Sequence, residues 1–417
     1  MEGTDIATSA WAKQSASLIQ VQKTGGNLEK KIRNILAWPH GRVVYHPPLD
    51  YSLQVDAAHP SLSSPTTVVS ITYTNPDTRG HSNENKLQLK LGELALLKTA
   101  CPSIRVVLAI GGSGEAWLSY VLKAFQHFYD EVLLLWRKND LARLEKIKNS
   151  PLSSPLKNQA LWIELKKEWA SVNLLPSSYA IPKGLVRYDI LDTLRSQRPI
   201  VHHPNLIKNE IARLCLQRSR QYNGAEWRNY LAKQWHSLEM SRNYFNPVEA
   251  CVEISLTKAR LQFKGGVARD VQVHSLLHDL GMKETSVSED FVLHSRKCGL
   301  PVYIQCKSSG GGREQHGKNI QNRAKEQIAR SLFYRCRSTN GVIQLKSKKF
   351  IWISVLDGDW SVTERQPLKY LHMLQWAGYD RFFSAADLLI SSREIKAPST
   401  NPLIRFLTDE LDCTPNP

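Results

Sequence analysis

Apolar positions along this chain follow two rhythms, and the changes between them mark out its elements. Leu87, Leu91, Leu94 and Leu97 recur at helical spacing and predict a helix over 86–98. The β-branched run from Val68 to Thr74 predicts a strand, and the apolar runs at 106–110 and 132–136 read as two more. Between those last two, Gly111-Gly112-Ser113-Gly114 turns the chain into a helix predicted over 115–129. Helical patterns also cover 28–36, 137–170 with a Ser/Pro break at 150–155, and 204–240. Alternation of strand and helix predicts an α/β N-terminal region, and no internal repeat is present. After Asn246-Pro247 the pattern shortens to brief apolar strands separated by turns, then a basic helix, then another strand. A boundary near 245 divides the chain into an N-terminal α/β and helical region, 1–245, and a C-terminal domain, 246–417.

Composition narrows the class. With 417 residues, 42% hydrophobic and 22% charged, the chain is long enough for two cores and is not dominated by disorder. Its 55 Lys and Arg against 38 Asp and Glu leave a formal +17, which favours polyanionic partners. The excess is spread over both parts, +10 in 1–240 and +7 in 241–417. No run approaches the roughly 18 to 20 apolar residues of a spanning helix, so no membrane partner is expected. The start, MEGTDIATSAWAKQSAS, lacks the basic residues and apolar run of a secretory signal, which makes the cytoplasm the expected location. Seven scattered cysteines without a C-x-x-C pair read as reduced thiols.

The chemistry concentrates in one passage. Glu289-Asp290-Phe291-Val292-Leu293-His294 reads as a short strand with an acid at its mouth, 297–299 as a turn, and Pro301 to Lys307 as an apolar strand running into Ser308-Ser309-Gly310-Gly311-Gly312. A β-hairpin is expected. Period-2 alternation puts Gln305 and Lys307 on one face and Cys306 on the other, and the hairpin brings the Asp290 carboxylate beside that pair. Phosphodiester hydrolysis needs such groups: oxygen ligands for a hard Mg²⁺ ion, and a cation near the attacking water and the scissile phosphate. Asp290 and the Gln305 amide oxygen are the candidate ligands, and Lys307 is the cation. A neutral amide is a poor Mg²⁺ ligand, so a further carboxylate is expected. Glu289 ranks first by proximity, ahead of Glu314 and Glu326, and Glu284 or Asp279 remains open as the first acid.

An acid before one strand and acid-x-lysine on the next is the signature of the PD-(D/E)XK nucleases. The arrangement of Asp290 and Gln305-Cys306-Lys307 resembles it, with Gln in the second acid's place, as in some restriction-type members, and Glu289 where a proline often precedes the first acid. The likeness extends over 286–390, through the glycine-rich strand exit, the polar helix, the strand over 350–356 with Asp357-Gly358-Asp359-Trp360, and the Ala377-Gly378-Tyr379-Asp380 ending. It implies a restriction-endonuclease-like core, a mixed central sheet flanked by helices, within the overall α/β class. It further implies a site-specific, Mg²⁺-dependent type II restriction endonuclease cutting double-stranded DNA. A homodimer would carry one site for each strand, and the N-terminal region would serve recognition or dimerisation. A cognate DNA methyltransferase would belong to the same bacterial or archaeal system without being a stable subunit. Two rivals stand beside this: a structure-specific repair or recombination nuclease of the same fold, and an inactive DNA-binding protein.

Residues 305–349 hold eleven Lys and Arg against two acids. Arg313, Lys318, Arg323, Lys325 and Arg330 are the expected phosphate contacts, with Gln315, Asn319, Gln321 and Asn322 in reach of bases. The competing reading of such a run is a solvated helix face. Other motifs carry less. The Gly111–Gly114 turn lacks a full phosphate-binding pattern, and His274 and His278 lack the glutamate of a zinc protease motif. Asp357-Gly358-Asp359 reads as a turn.

Overall fold

The computed structural model describes residues 26–44, 52–74, 81–112, 122–151, 155–179, 247–266, 269–282, 287–308, 313–357, 368–391 and 394–413. The helix predicted over 204–240 and the boundary near 245 lie outside them. Helix α1 covers 26–36, and β1 (Gly41–Val44) pairs antiparallel with β2 (Ser52–Val55). Strands β3 (Ala57–His59), β4 (Thr67–Tyr73), β5 (Arg105–Gly111) and β6 (Glu131–Leu134) form one sheet in that order. Only the β3–β4 pairing in it is antiparallel. Helix α2 (His81–Ala100) connects β4 to β5, and α3 (Lys138–Asn149) and α4 (Gln159–Ser171) follow β6. The Ser/Pro break falls between α3 and α4 as expected, whereas the helix expected to reach 129 ends at 125.

Alternate residues of β5 enter different cores. Val106, Leu108 and Ile110 pack with Leu87, Leu91 and Leu94 of α2, while Val107 and Ala109 pack with Ile32, Leu36, Leu144 and Ile147 of α1 and α3. A strand covered on both faces reads as an unbroken apolar run, which is how 106–110 appears in the sequence.

The second sheet follows α5 (Pro247–Lys258). Its chain order is β7 (Lys264–Gly265), β8 (Val271–Gln272), α6 (Leu276–Asp279), β9 (Ser288–Glu289), β10 (Phe291–His294), β11 (Pro301–Ser308) and α7 (Arg313–Arg335). It continues through β12 (Cys336–Thr339), β13 (Val342–Leu345), β14 (Ile351–Asp357), α8 (Lys369–Ala377) and β15 (Arg381–Ser384). Five of these strands form a mixed sheet in the order β15-β14-β11-β10-β7. Helices α7 and α8 are crossovers between the parallel strands β11, β14 and β15, while β10 runs antiparallel to β11. Parallel neighbours need such crossovers, and each one buries its apolar stripe on the sheet.

The described residues are therefore layered and α/β. Val302, Ile304, Cys306, Ile353 and Val355 face α5, whereas Trp352 and Leu356 face a cluster shared with α2, α4, α7 and α8. These four helices lie between the two sheets. Gly92 of α2 permits the closest approach, since a Cβ there would stand 2.1 Å from the Lys325 carbonyl oxygen of α7. Trp169 of α4 stacks on Trp376 of α8 at 5.5 Å. The six cysteines among the described residues are free thiols. Among the described residues no helix is long and apolar enough to cross a membrane.

Candidate active site

The expected hairpin is present. β10 and β11 pair from Phe291↔Ile304 to His294↔Pro301, and the turn uses Gly299 at φ +67°. Alternation on β11 also holds: Cys306 enters the cluster against α5, and the Gln305 side chain points toward α7, where Tyr379 meets it. Gln305 is fully buried, and Lys307, near the carboxyl end of the strand, is half-buried.

Asp290 sits at a bend between β9, which pairs with β8, and β10. Its carboxylate accepts the Cys306 N–H at 2.5 Å, taking the place of a ladder carbonyl where the β10–β11 pairing ends. Its own carbonyl accepts from Gly266 N at 3.1 Å. A Cβ on Gly265 would lie 2.2 Å from that carbonyl oxygen, so Gly265 lets β7 lie tight against Asp290. Burial pushes the Asp290 carboxyl above its ordinary range; Lys307 and the Cys306 N–H pull the other way, and Asp270 adds to the rise. Asp270 is exposed and accepts a hydrogen bond from Ser288 Oγ at 2.9 Å. Neither Gly265 nor Asp270 carried a signal in the sequence beyond residue type, because their nearness to Asp290 depends on pairing across the sheet.

Glu289 departs from expectation. Its side chain is fully buried, one oxygen accepts the Tyr334 hydroxyl, and the other accepts Trp352 Nε1 at 3.1 Å. Burial raises its carboxyl to about 7, against the pull of Arg330 and the Tyr334 hydrogen bond. Each oxygen accepts a hydrogen bond from the interior, so the structure places Glu289 as a buried acceptor, where the sequence suggested a metal ligand. The bend after it is the reason, since it turns Glu289 toward α7. Gln305 is engaged as well: Nε2 donates to the Ser288 carbonyl at 3.3 Å, and Oε1 lies 3.4 Å from the Tyr379 hydroxyl. Tyr379 in turn donates to Gln327 at 2.8 Å and stacks on Trp352 at 4.0 Å.

The cations divide into two groups. Burial lowers the Lys307 pKa, Arg330 and Arg323 lower it further, and Asp290 and Glu289 oppose them. Burial also works against the Arg330 charge, but Tyr334, Glu289, Tyr379 and Asp290 outweigh it and hold the guanidinium above its ordinary value. Glu326 belongs to the same neighbourhood: burial raises it, Arg323, Lys307 and Arg330 lower it, and it pairs with Arg323 at 3.2 Å. Arg313, Glu314, Gln315, Lys318 and Asn319 lie on the first turns of α7, with side chains outside the described residues.

Lys325 does not join them. It is buried and pairs with Glu93 of α2 at 2.8 Å, so its expected role as a phosphate contact is corrected to that of a tie between helices. Arg335 forks onto Glu168 of α4, and Lys348 binds Asp380 and the Gly378 carbonyl. Arg337 bonds the carbonyls of Tyr334 and Cys336. These last three lie at or after the C-terminal end of α7 and are held by those partners. The basic run of the sequence is thus not one surface. Glu284 is outside the described residues, and Asp279 engages His274 at 3.1 Å. His278 stacks on His274 and accepts from Ser275 N, capping α6.

Among the described residues no three His, Cys, Asp or Glu side chains are grouped to hold a metal ion. The donors available for Mg²⁺ are few, the Asp290 carboxylate and the Gln305 amide oxygen, so water and substrate phosphate would have to supply the rest of a shell. Mg²⁺ is commonly bound that way rather than in an all-protein cage. Comparison with protein-family models, with curated proteins and with solved structures returned no match.

Proposed function

We propose that this chain is a Mg²⁺-dependent, site-specific endonuclease of double-stranded DNA, of the restriction type, with Asp290 and Lys307 at its centre. One observation carries the reading: the β10–β11 hairpin delivers a buried carboxylate, fixed by the Cys306 N–H, and a half-buried lysine of lowered pKa to the carboxyl end of one strand. The mixed sheet between α5 and α7 supports it, being the central sheet flanked by helices that the resemblance calls for.

In the proposed reaction a water attacks phosphorus and the bond to the leaving sugar oxygen breaks. Asp290 and the Gln305 amide oxygen would hold Mg²⁺, which supplies Lewis-acid polarisation of the phosphate and of the water. Lys307 would face the phosphate as an ammonium that offsets the charge building on its oxygens, while the water's proton passes to solvent and a solvent proton is returned to the leaving sugar oxygen. Tyr379 and Ser288 keep Gln305 in place. Cutting both strands of a symmetric sequence calls for two copies of the chain.

The test is incubation with unmethylated DNA of known sequence, with Mg²⁺ or EDTA, and sequencing of fragment ends. Discrete Mg²⁺-dependent ends are expected. Asp290→Asn and Lys307→Ala are each expected to slow cleavage by at least about a hundredfold, and undiminished cleavage by both would remove the assignment. An inactive DNA-binding protein is the second reading, favoured by the internal hydrogen bonds that occupy Glu289 and Gln305. Its signature is DNA retained without scission.

A further inference from the structure

The stripe of α7 that faces β11 can be followed residue by residue. Gln327 accepts the Tyr379 hydroxyl, and Tyr334 donates to Glu289. Arg330 lies three residues after the first and four before the second, spacings that place all three on one helix face. That face is the one turned toward Tyr379, Glu289 and Gln305, so the spacing directs Arg330 to the same side of the sheet. The mutual influence of Arg330, Glu289, Asp290 and Lys307 agrees with that position.

Among the described residues neither Arg330 nor Lys307 has a hydrogen-bond or ion-pair partner, although both are half-buried. The contrast with the other cations is informative. Lys325 and Arg335, which are buried, each have a carboxylate of their own, whereas these two have none and lie close enough for the Arg330 charge to depress Lys307. Two cations held together without acceptors suit a tetrahedral oxyanion, whose non-bridging oxygens match the fork.

We propose that Arg330 and Lys307 form a two-point clamp on the non-bridging oxygens of the phosphodiester that is cut. Arg330 is then a phosphate-binding residue inside the site, not a contact on the outer DNA surface. This rests on the nuclease reading and adds a second cation from α7. It also gives the tyrosines a purpose, since Tyr334 and Tyr379 flank the arginine and occupy acceptors it would otherwise seek.

The test is fluorescence anisotropy of a DNA duplex in EDTA with wild type, Arg330→Gln and Arg330→Lys, followed by single-turnover cleavage in Mg²⁺ at saturating protein. Arg330→Gln is expected to weaken metal-free binding about tenfold to a hundredfold, the usual worth of a hydrogen bond to a charged group. Arg330→Lys keeps the charge beside Glu289 and Asp290 but loses the fork; it is expected to melt like wild type yet bind and cut more weakly. A role as counter-ion alone would leave that variant indistinguishable from wild type and so overturn the clamp, as would a folded Arg330→Gln that binds normally. If inorganic phosphate binds the wild type in an Arg330-dependent way while the duplex does not bind, the pair is a free-phosphate site and the phosphodiester assignment falls. Wild type that neither binds nor cuts DNA removes the nuclease reading, and the clamp with it; normal cleavage with insensitive Arg330 variants removes the clamp only.

Discussion

Gln305 and Glu289 both bring oxygen donors to the site, and their hydrogen bonds say how each is held. Gln305 gives an N–H to the Ser288 carbonyl, a donation that a carboxylate cannot make. Gln305→Glu would also bury a charge beside Glu289 and Asp290. It is expected to destabilise the fold by about 1–3 kcal/mol, read as a lower melting temperature in EDTA; melting at or above wild type would show that the amide is not needed. Glu289 supplies a pH dependence. Its carboxyl rises from an ordinary 4.5 to about 7 on folding, so folding favours the protonated form. Its contribution to stability is complete below pH 4.5 and is lost as pH rises through about 7. Thermal melts across that window are expected to fall with rising pH in wild type, and to fall less in Glu289→Gln. Equal slopes would place the titration elsewhere. The sequence displays Gln305, Lys307 and Asp290 because period-2 alternation and one hairpin suffice to bring them together. It hides the fate of Glu289, which depends on a bend and on Trp352, 63 positions away.

At the scale of elements, the local pattern was readable wherever burial is periodic: the leucine stripe of α2, the apolar β5, and the hairpin turn all appear in the sequence. What pairs with what across the helix layer was not. Lys325 reads as one cation in a basic helix, yet its partner Glu93 is 232 positions away and the two meet only because α2 crosses α7 at Gly92. That crossing is close enough to predict. Gly92→Ala introduces a Cβ within 2.1 Å of the Lys325 carbonyl oxygen, an atom of the α7 backbone that cannot swing aside. The helices must separate, at a cost of about 1–3 kcal/mol for an overpacked core site. Chemical denaturation should show a lower midpoint with an unchanged slope. A midpoint equal to wild type would mean that α2 and α7 do not meet in solution as described.

For the whole molecule, the helix layer between the sheets bears on whether the C-terminal part can stand alone. Composition and length suggested two units meeting near 245, with the second carrying the chemistry. The apolar face of α7, with Ala324, Ile328, Leu332 and Phe333, is however in one cluster with Leu87, Leu91 and Leu94 of α2 and with Trp162 and Trp169 of α4. Polar ties follow the same seam: Glu93 holds Lys325, Glu168 holds Arg335, and the 172–175 segment bonds Gln375 and His372 of α8. A 246–417 fragment would expose that apolar face and leave two buried cations without their acids, and removing one partner of a buried pair typically costs about 3–5 kcal/mol. Losses of that size approach the roughly 5–15 kcal/mol that separates most folded domains from unfolding. The fragment is therefore expected to bind a hydrophobic dye and to melt without a cooperative transition, while the full chain melts cooperatively. A cooperatively melting, dye-free 246–417 would show that the candidate site has a core of its own, leaving the N-terminal region free to act as a separate module.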